Sequence, residues 1–105
     1  MAKRTEREQS THHRKVRELA RQLKKEDYEV RADGVRGYKR PRPIGQAKRI
    51  PDIEAKKGSS KLIIEVETPK SLIADREQLK TFTRHAAHKK GTKLRVVVTK
   101  PRKGK

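Results

Sequence analysis

Residues 51–70 read PDIEAKKGSSKLIIEVETPK, and the pairing of the two apolar runs in this stretch decides how the chain folds. "KLIIEVET" (61–68) is apolar on both faces, the mark of a central strand, whereas "PDIEA" (51–55) is short and opened by a proline, which loses nothing by lacking an N–H at a strand start. "KKGSS" between them is a turn. Side chains alternate along a strand, so Glu65 and Glu67 share one face about 7 Å apart, while Leu62, Ile64 and Val66 take the other. Antiparallel pairing across the turn brings Asp52 to the Glu65–Glu67 end. Three acids are therefore expected to converge, a costly arrangement unless lysine, arginine or a divalent cation compensates it.

Upstream, Ser10 and Thr11 are placed to cap an amphipathic helix with Val16, Leu19, Ala20 and Leu23 on one face and Arg14, Lys15, Arg17, Arg21 and Lys24 around the remainder. "YEVRA" (28–32) alternates as a strand. Residues 33–49, DGVRGYKRPRPIGQAKR, hold three glycines, two prolines and no periodicity, and so form a long loop or loose hairpin. Downstream, a helix from about Ser71 to His88 is expected to bury Leu72, Leu79, Phe82 and Ala86, with Gly91 ending it. "KLRVVVT" (93–99) is the last strand, too continuous in valine for an edge. The class is α/β (α+β), in the order helix, three strands, helix, strand (αβββαβ). A mixed central sheet flanked by helices follows, because the last connection is long enough to cross over and join in parallel. Residues 1–9 read as a basic flexible arm, 10–99 as the folded domain and 100–105 as a basic tail.

The chain has 105 residues, 31 of them Lys or Arg against 13 Asp or Glu, a formal charge of +18 and only 30% hydrophobic residues. Such a core is small, and the charge makes a polyanion the natural partner. Nucleic acid is favoured over a lipid surface, because no amphipathic helix carries a Trp or Phe face. With only Tyr28, Tyr38 and Phe82 as aromatics, contact falls on phosphates rather than stacked bases. The absence of cysteine excludes disulfides and thiolate metal sites and fits the cytoplasm. No apolar run reaches the length of a membrane span, and no apolar segment follows the charges of the first ten residues.

Carboxylates gathered beside phosphate-binding bases are what metal-dependent phosphodiester hydrolysis requires. At Pro51-Asp52 and Glu65-x-Glu67, and in its element order over Ser10 to Thr99, the sequence resembles the PD-(D/E)XK nuclease superfamily, which includes restriction endonucleases, archaeal Holliday junction resolvases and RecB-type nucleases. The resemblance implies a restriction endonuclease-like core. It also implies Mg²⁺ or Mn²⁺ held by Asp52, Glu65 and the backbone carbonyl of Val66. Glu67 stands where the family carries lysine, and would act on the attacking water. Lys70 or Lys80 would supply the displaced positive charge. "QLKTF" (78–82) is similar to the Q-x-x-x-Y motif of the RecB-type members, with Gln78 orienting a substrate strand and Phe82 packing the helix.

Arg36, Lys39, Arg40, Arg42, Lys48 and Arg49 cluster with glycines that admit close backbone approach, and are expected to contact phosphates. DNA is the expected partner more than RNA, with a homodimer because duplex or branched DNA has two strands to cut. His12 and His13 could reach phosphate, and His85 and His88 have chelating spacing. No further soft ligand accompanies them, and all four are read as ordinary. The competing reading of the acids is an exposed hairpin whose carboxylates pair with Arg49, Lys61 and Lys70. The competing function is a non-catalytic basic nucleic-acid binder, ribosomal or chromatin-like, or a nuclease fold without its chemistry.

Overall fold

The structure, a computed structural model, describes residues 6–45 and 48–99, with side chains from Thr11 onward. The expected basic tail and the first five residues of the expected arm lie outside this range. The first helix, α1 (Glu6–Lys25), starts earlier than the sequence suggested, so that Ser10 and Thr11 sit inside it rather than at its cap. Glu6 to Gln9 are good helix formers, and they extend the helix into what was expected to be flexible arm. Val16, Ala20 and Leu23 are buried along one stripe, as their spacing demands.

The end of α1 is built without glycine. Asp27 takes a positive φ of 69°, its N–H reaches the Lys24 carbonyl, and the Tyr28 N–H returns to the Leu23 carbonyl. This is a Schellman closure with Asp in the left-handed position.

Three strands follow: β1 (Glu29–Ala32), β2 (Ile53–Lys57) and β3 (Ser60–Glu67). β1 pairs antiparallel with β2, and β2 pairs antiparallel with β3. The β2–β3 turn is only Gly58-Ser59, with Gly58 at φ 59° supplying the left-handed residue a tight hairpin needs. Pro51 and Asp52 precede β2 rather than belonging to it. β4 (Thr92–Val98) joins β3 in parallel, completing a four-stranded mixed sheet in the order β1-β2-β3-β4. β3 is central, as expected. β4 is an edge, against the expectation drawn from its valines, and Val96 and Val98 are exposed upon it.

The expected second helix is two, α2 (Pro69–Ala74) and α3 (Arg76–His88). Asp75, at φ −97° and ψ 22°, ends one and begins the other. Aspartate competes for nearby backbone donors and so favours such a break. Thr68 and Ser71 form a reciprocal capping box around Pro69, which fixes where α2 leaves β3. α3 ends at His88. Gly91 lies beyond it at φ 82°, where an added Cβ would meet the Ser59 carbonyl at 2.8 Å.

The helices cover opposite faces of the sheet. α1 packs with Ala32, Ile53, Ala55, Ile64 and Val66, while Phe82 of α3 packs with Ile63, Ile44 and Leu94. The 33–49 loop serves both faces: Val35 enters the first cluster and Ile44 the second. Ile44 and Arg49 exchange both backbone hydrogen bonds, at 2.8 and 3.0 Å, closing the loose hairpin that the sequence suggested.

Candidate active site

The β2–β3 register sets Ile53 opposite Ile64, so one step further Asp52 comes beside Glu65. Past the start of β2 the Asp52 side chain takes the place of a strand partner: its Oδ2 accepts the Val66 N–H at 2.8 Å. The same oxygen lies 3.2 Å from Nε2 of His12, one turn before Val16 on the inward stripe of α1. Glu65 is 2% exposed and hydrogen-bonds to Asp52. Gln78 of α3 approaches from the other side, its Nε2 donating to Glu65 Oε1 at 3.5 Å. His12, Asp52, Glu65 and Gln78 thus form a chain from α1 to α3 across the end of the sheet.

The two carboxyls are driven apart in acidity. Burial pushes Glu65 up, Asp52 and Glu67 add negative charge beside it, and its pKa rises to about 10. At Asp52 burial acts upward too. The hydrogen bond and charge of His12, with hydrogen bonds from Glu65 and the Val66 N–H, outweigh it and leave Asp52 below the ordinary carboxylate range. At neutral pH Glu65 is therefore the proton donor of the pair and Asp52 the acceptor.

The third acid departs from expectation. Glu67 is fully buried, but its Oε2 accepts from the Ser71 hydroxyl, tying it to the cap of α2. The capping box turns Ser71 back toward the strand end and holds Glu67 there, while Glu67 stays near enough to Glu65 to add its charge. Asp52 and Glu65 are the two acids in direct contact. Among the described residues no three His, Asp or Glu side chains are grouped to hold a metal ion. A hard donor set nonetheless exists. In an extended strand a residue's N–H and C=O point to the same side, so the Val66 carbonyl emerges beside Asp52. Two carboxyls and this carbonyl are all oxygen donors, a set that suits Mg²⁺ or Mn²⁺.

Lys70 is exposed at the first turn of α2. Lys80 is exposed on the outer side of α3, 3.7 Å from Glu77. Among the described residues no lysine or arginine forms an ion pair with Asp52 or Glu65. The exposed-hairpin reading fares no better, because Lys61 goes instead to Glu54 at 2.7 Å. Glu54, 3% exposed, also takes Arg42 Nη2 at 3.1 Å and the Arg42 backbone N–H. Burial pushes the Glu54 carboxyl up, but these cations outweigh it and hold it below the ordinary carboxylate range.

This triad occupies Arg42 and ties the basic loop down. Arg40 pairs loosely with Asp33 at 3.6 Å, and Arg49 is half-buried. Arg36, Lys39 and Lys48 are exposed.

Sequence reasoning took His12 as ordinary and passed over Glu54, yet each carried a signal. His12 continues the Val16–Ala20–Leu23 stripe one turn back, and Glu54 alternates with the buried Ile53 and Ala55 on the opposite sheet face. The sequence matches no protein-family model and no curated protein.

Proposed function

We propose that this protein is a small metal-dependent endonuclease of the PD-(D/E)XK type, with a restriction endonuclease-like core, that hydrolyses phosphodiester bonds in DNA. The observation that carries the reading is the Asp52–Glu65 carboxyl pair, Glu65 buried and Asp52 partly buried, at the end of the central hairpin in a chain of charge +18. Two carboxyls in contact out of water need either a shared proton or a cation between them, and nothing in a small core requires them for packing. Asp52, Glu65 and the Val66 carbonyl would hold Mg²⁺ or Mn²⁺, which when bound polarises a phosphoryl oxygen and acidifies water. His12 orients the Asp52 carboxylate, Gln78 orients Glu65, and Arg36, Lys39 and Lys48 hold the substrate backbone.

The deciding experiment incubates labelled duplex, branched and single-stranded DNA with the protein and Mg²⁺ or Mn²⁺. Asp52→Ala and Glu65→Ala are expected to abolish cleavage and to leave DNA binding intact. Cleavage retained in both variants would sink the assignment.

A second reading, a basic nucleic-acid binder without chemistry, draws support from the same site. Asp52 is already engaged by His12 and Glu67 by Ser71, and lysine is missing from its motif position. Calorimetric titration with Mn²⁺ separates the two: binding lost in Asp52→Asn favours the enzyme, and no binding to the intact protein favours the binder.

A further inference from the structure

The outer edge of β4 presents an open backbone ladder between an apolar row and a cationic row. The Thr99 N–H donates to the Glu67 carbonyl at 2.7 Å and the Lys61 N–H to the Gly91 carbonyl at 2.8 Å, so the odd-numbered residues of β4 face β3. The even-numbered residues, Thr92, Leu94, Val96 and Val98, turn their N–H and C=O groups outward. Among the described residues no strand pairs with them. Leu94, Val96 and Val98 share one sheet face, where Leu94 packs near Phe82 and the two valines are 37% and 43% exposed. Lys93 and Arg95 are exposed on the other face, together with half-buried Val97, which lines a groove with Arg14, Lys15 and Glu18 of α1. Glu18 is already engaged by Lys15 at 3.4 Å, while Arg14, Lys93 and Arg95 enter no ion pair among the described residues.

We propose that this edge docks an extended segment of a partner protein in which acidic and apolar residues alternate, added antiparallel to β4. Antiparallel pairing sets each incoming residue on the same face as the β4 residue opposite it. Apolar side chains opposite Leu94, Val96 and Val98 cover the exposed valines, and the same residues carry the N–H and C=O groups that meet the outward ladder. Acidic side chains opposite Lys93, Arg95 and Val97 lie over the cations of the strand and of α1. Charge selects the occupant. A second copy at this edge would crowd two sets of Lys93 and Arg95 onto one face beside Arg14, and like charges on neighbouring strands oppose such pairing. Nucleic acid would meet the cations through its phosphates, but it has no amide ladder and leaves the valines in water. An alternating acidic strand satisfies the backbone, the apolar row and the cationic row together. This inference is independent of the chemistry at Asp52 and Glu65.

The probe is a dye-labelled peptide of alternating Val and Glu, titrated into the full chain at physiological salt and followed by fluorescence anisotropy. Saturable binding is expected, with a block-ordered peptide of the same composition weaker by about tenfold or more. N-methylation of the peptide's Val residues removes the donors that face β4 and is expected to abolish binding, whereas N-methylation of its Glu residues is tolerated. Val96→Lys raises the net charge, yet it should weaken the alternating peptide about tenfold or more because an apolar contact is lost. Arg95→Glu should weaken it as well, and circular dichroism melts report whether both variants fold. Hydrogen exchange on the unaltered chain gives a readout free of mutation. The amides of Leu94, Val96 and Val98 should exchange freely alone and become protected with the peptide, while those of Arg95 and Val97 are protected throughout. Equal binding of the alternating and block-ordered peptides, or undiminished binding of the Val-methylated one, would reduce the interaction to a polyanion on a basic surface and overturn the proposal. Protection of the same amides without peptide, together with a dimer in sedimentation equilibrium, gives the edge to a second copy. Protection by duplex DNA alone gives it to nucleic acid, and either result overturns the proposal as well.

Discussion

Glu65 shows how much one side chain can set against the fold that holds it. Its carboxyl is ionised in the unfolded chain above the ordinary value of 4.5 and stays protonated in the folded chain up to about 10. The unfolded state therefore binds fewer protons across that interval, and stability falls as pH rises through it. Asp52 acts in the opposite sense: held low, it contributes stability that is lost when acid protonates it. Glu65→Gln keeps the shape and a donor toward Asp52 while removing the ionisation. The variant is expected to be more stable at pH 8 by roughly 2 kcal/mol, and its advantage should shrink toward pH 4. Urea melts of both proteins at several pH values check this. The proximity of Asp52 to Glu65 was legible from the hairpin. The proton between them was not, because it depends on α1 and α3 closing over the pair.

At the scale of elements, most boundaries follow local chemistry. The exceptions have local reasons as well. α1 runs on to Glu6 because nothing in the "EREQ" segment breaks a helix, and the helix after β3 divides at Asp75. The close of α1 is an instructive case. Asp27 occupies a left-handed conformation that glycine adopts without cost, and its side chain is exposed. Asp27→Gly is therefore expected to stabilise the protein by about 0.5–1 kcal/mol, read as a raised denaturant midpoint at unchanged slope. Loss of stability would mean that the Asp27 carboxylate, rather than the backbone turn, secures the helix end. The misjudged element is β4. A run of three valines reads as buried strand, but periodicity reports only that side chains suit a sheet, not whether another strand lies alongside.

For the whole molecule, the distribution of charge matters more than its sum. The basic loop divides into residues used internally and residues left over: Arg42 neutralises the buried Glu54, whereas Arg36, Lys39 and Lys48 remain exposed. This division predicts unequal roles in nucleic-acid binding. Arg36→Ala and Lys39→Ala are each expected to lower the slope of log K against log salt by about 1, uniformly across sequences, without altering stability. Arg42→Ala should instead destabilise the fold, because it removes one partner of a buried carboxylate. Filter binding across a salt series, with thermal melts of the same variants, measures both effects.

The sequence by itself determined the mixed sheet's hairpin, its central strand, the helical stripe of α1, the meeting of Asp52 with Glu65 and the large positive charge. Each of these rests on alternation, helical period or composition, which are local quantities. Only the tertiary structure decided that Glu67 turns to Ser71, that His12 and Gln78 close on the carboxyl pair, that Lys61 and Arg42 serve Glu54, and that β4 is an edge. These depend on which set of pairings has the lowest free energy, when residues far apart in the chain compete for the same few partners and burial makes an unmatched charge too costly to leave.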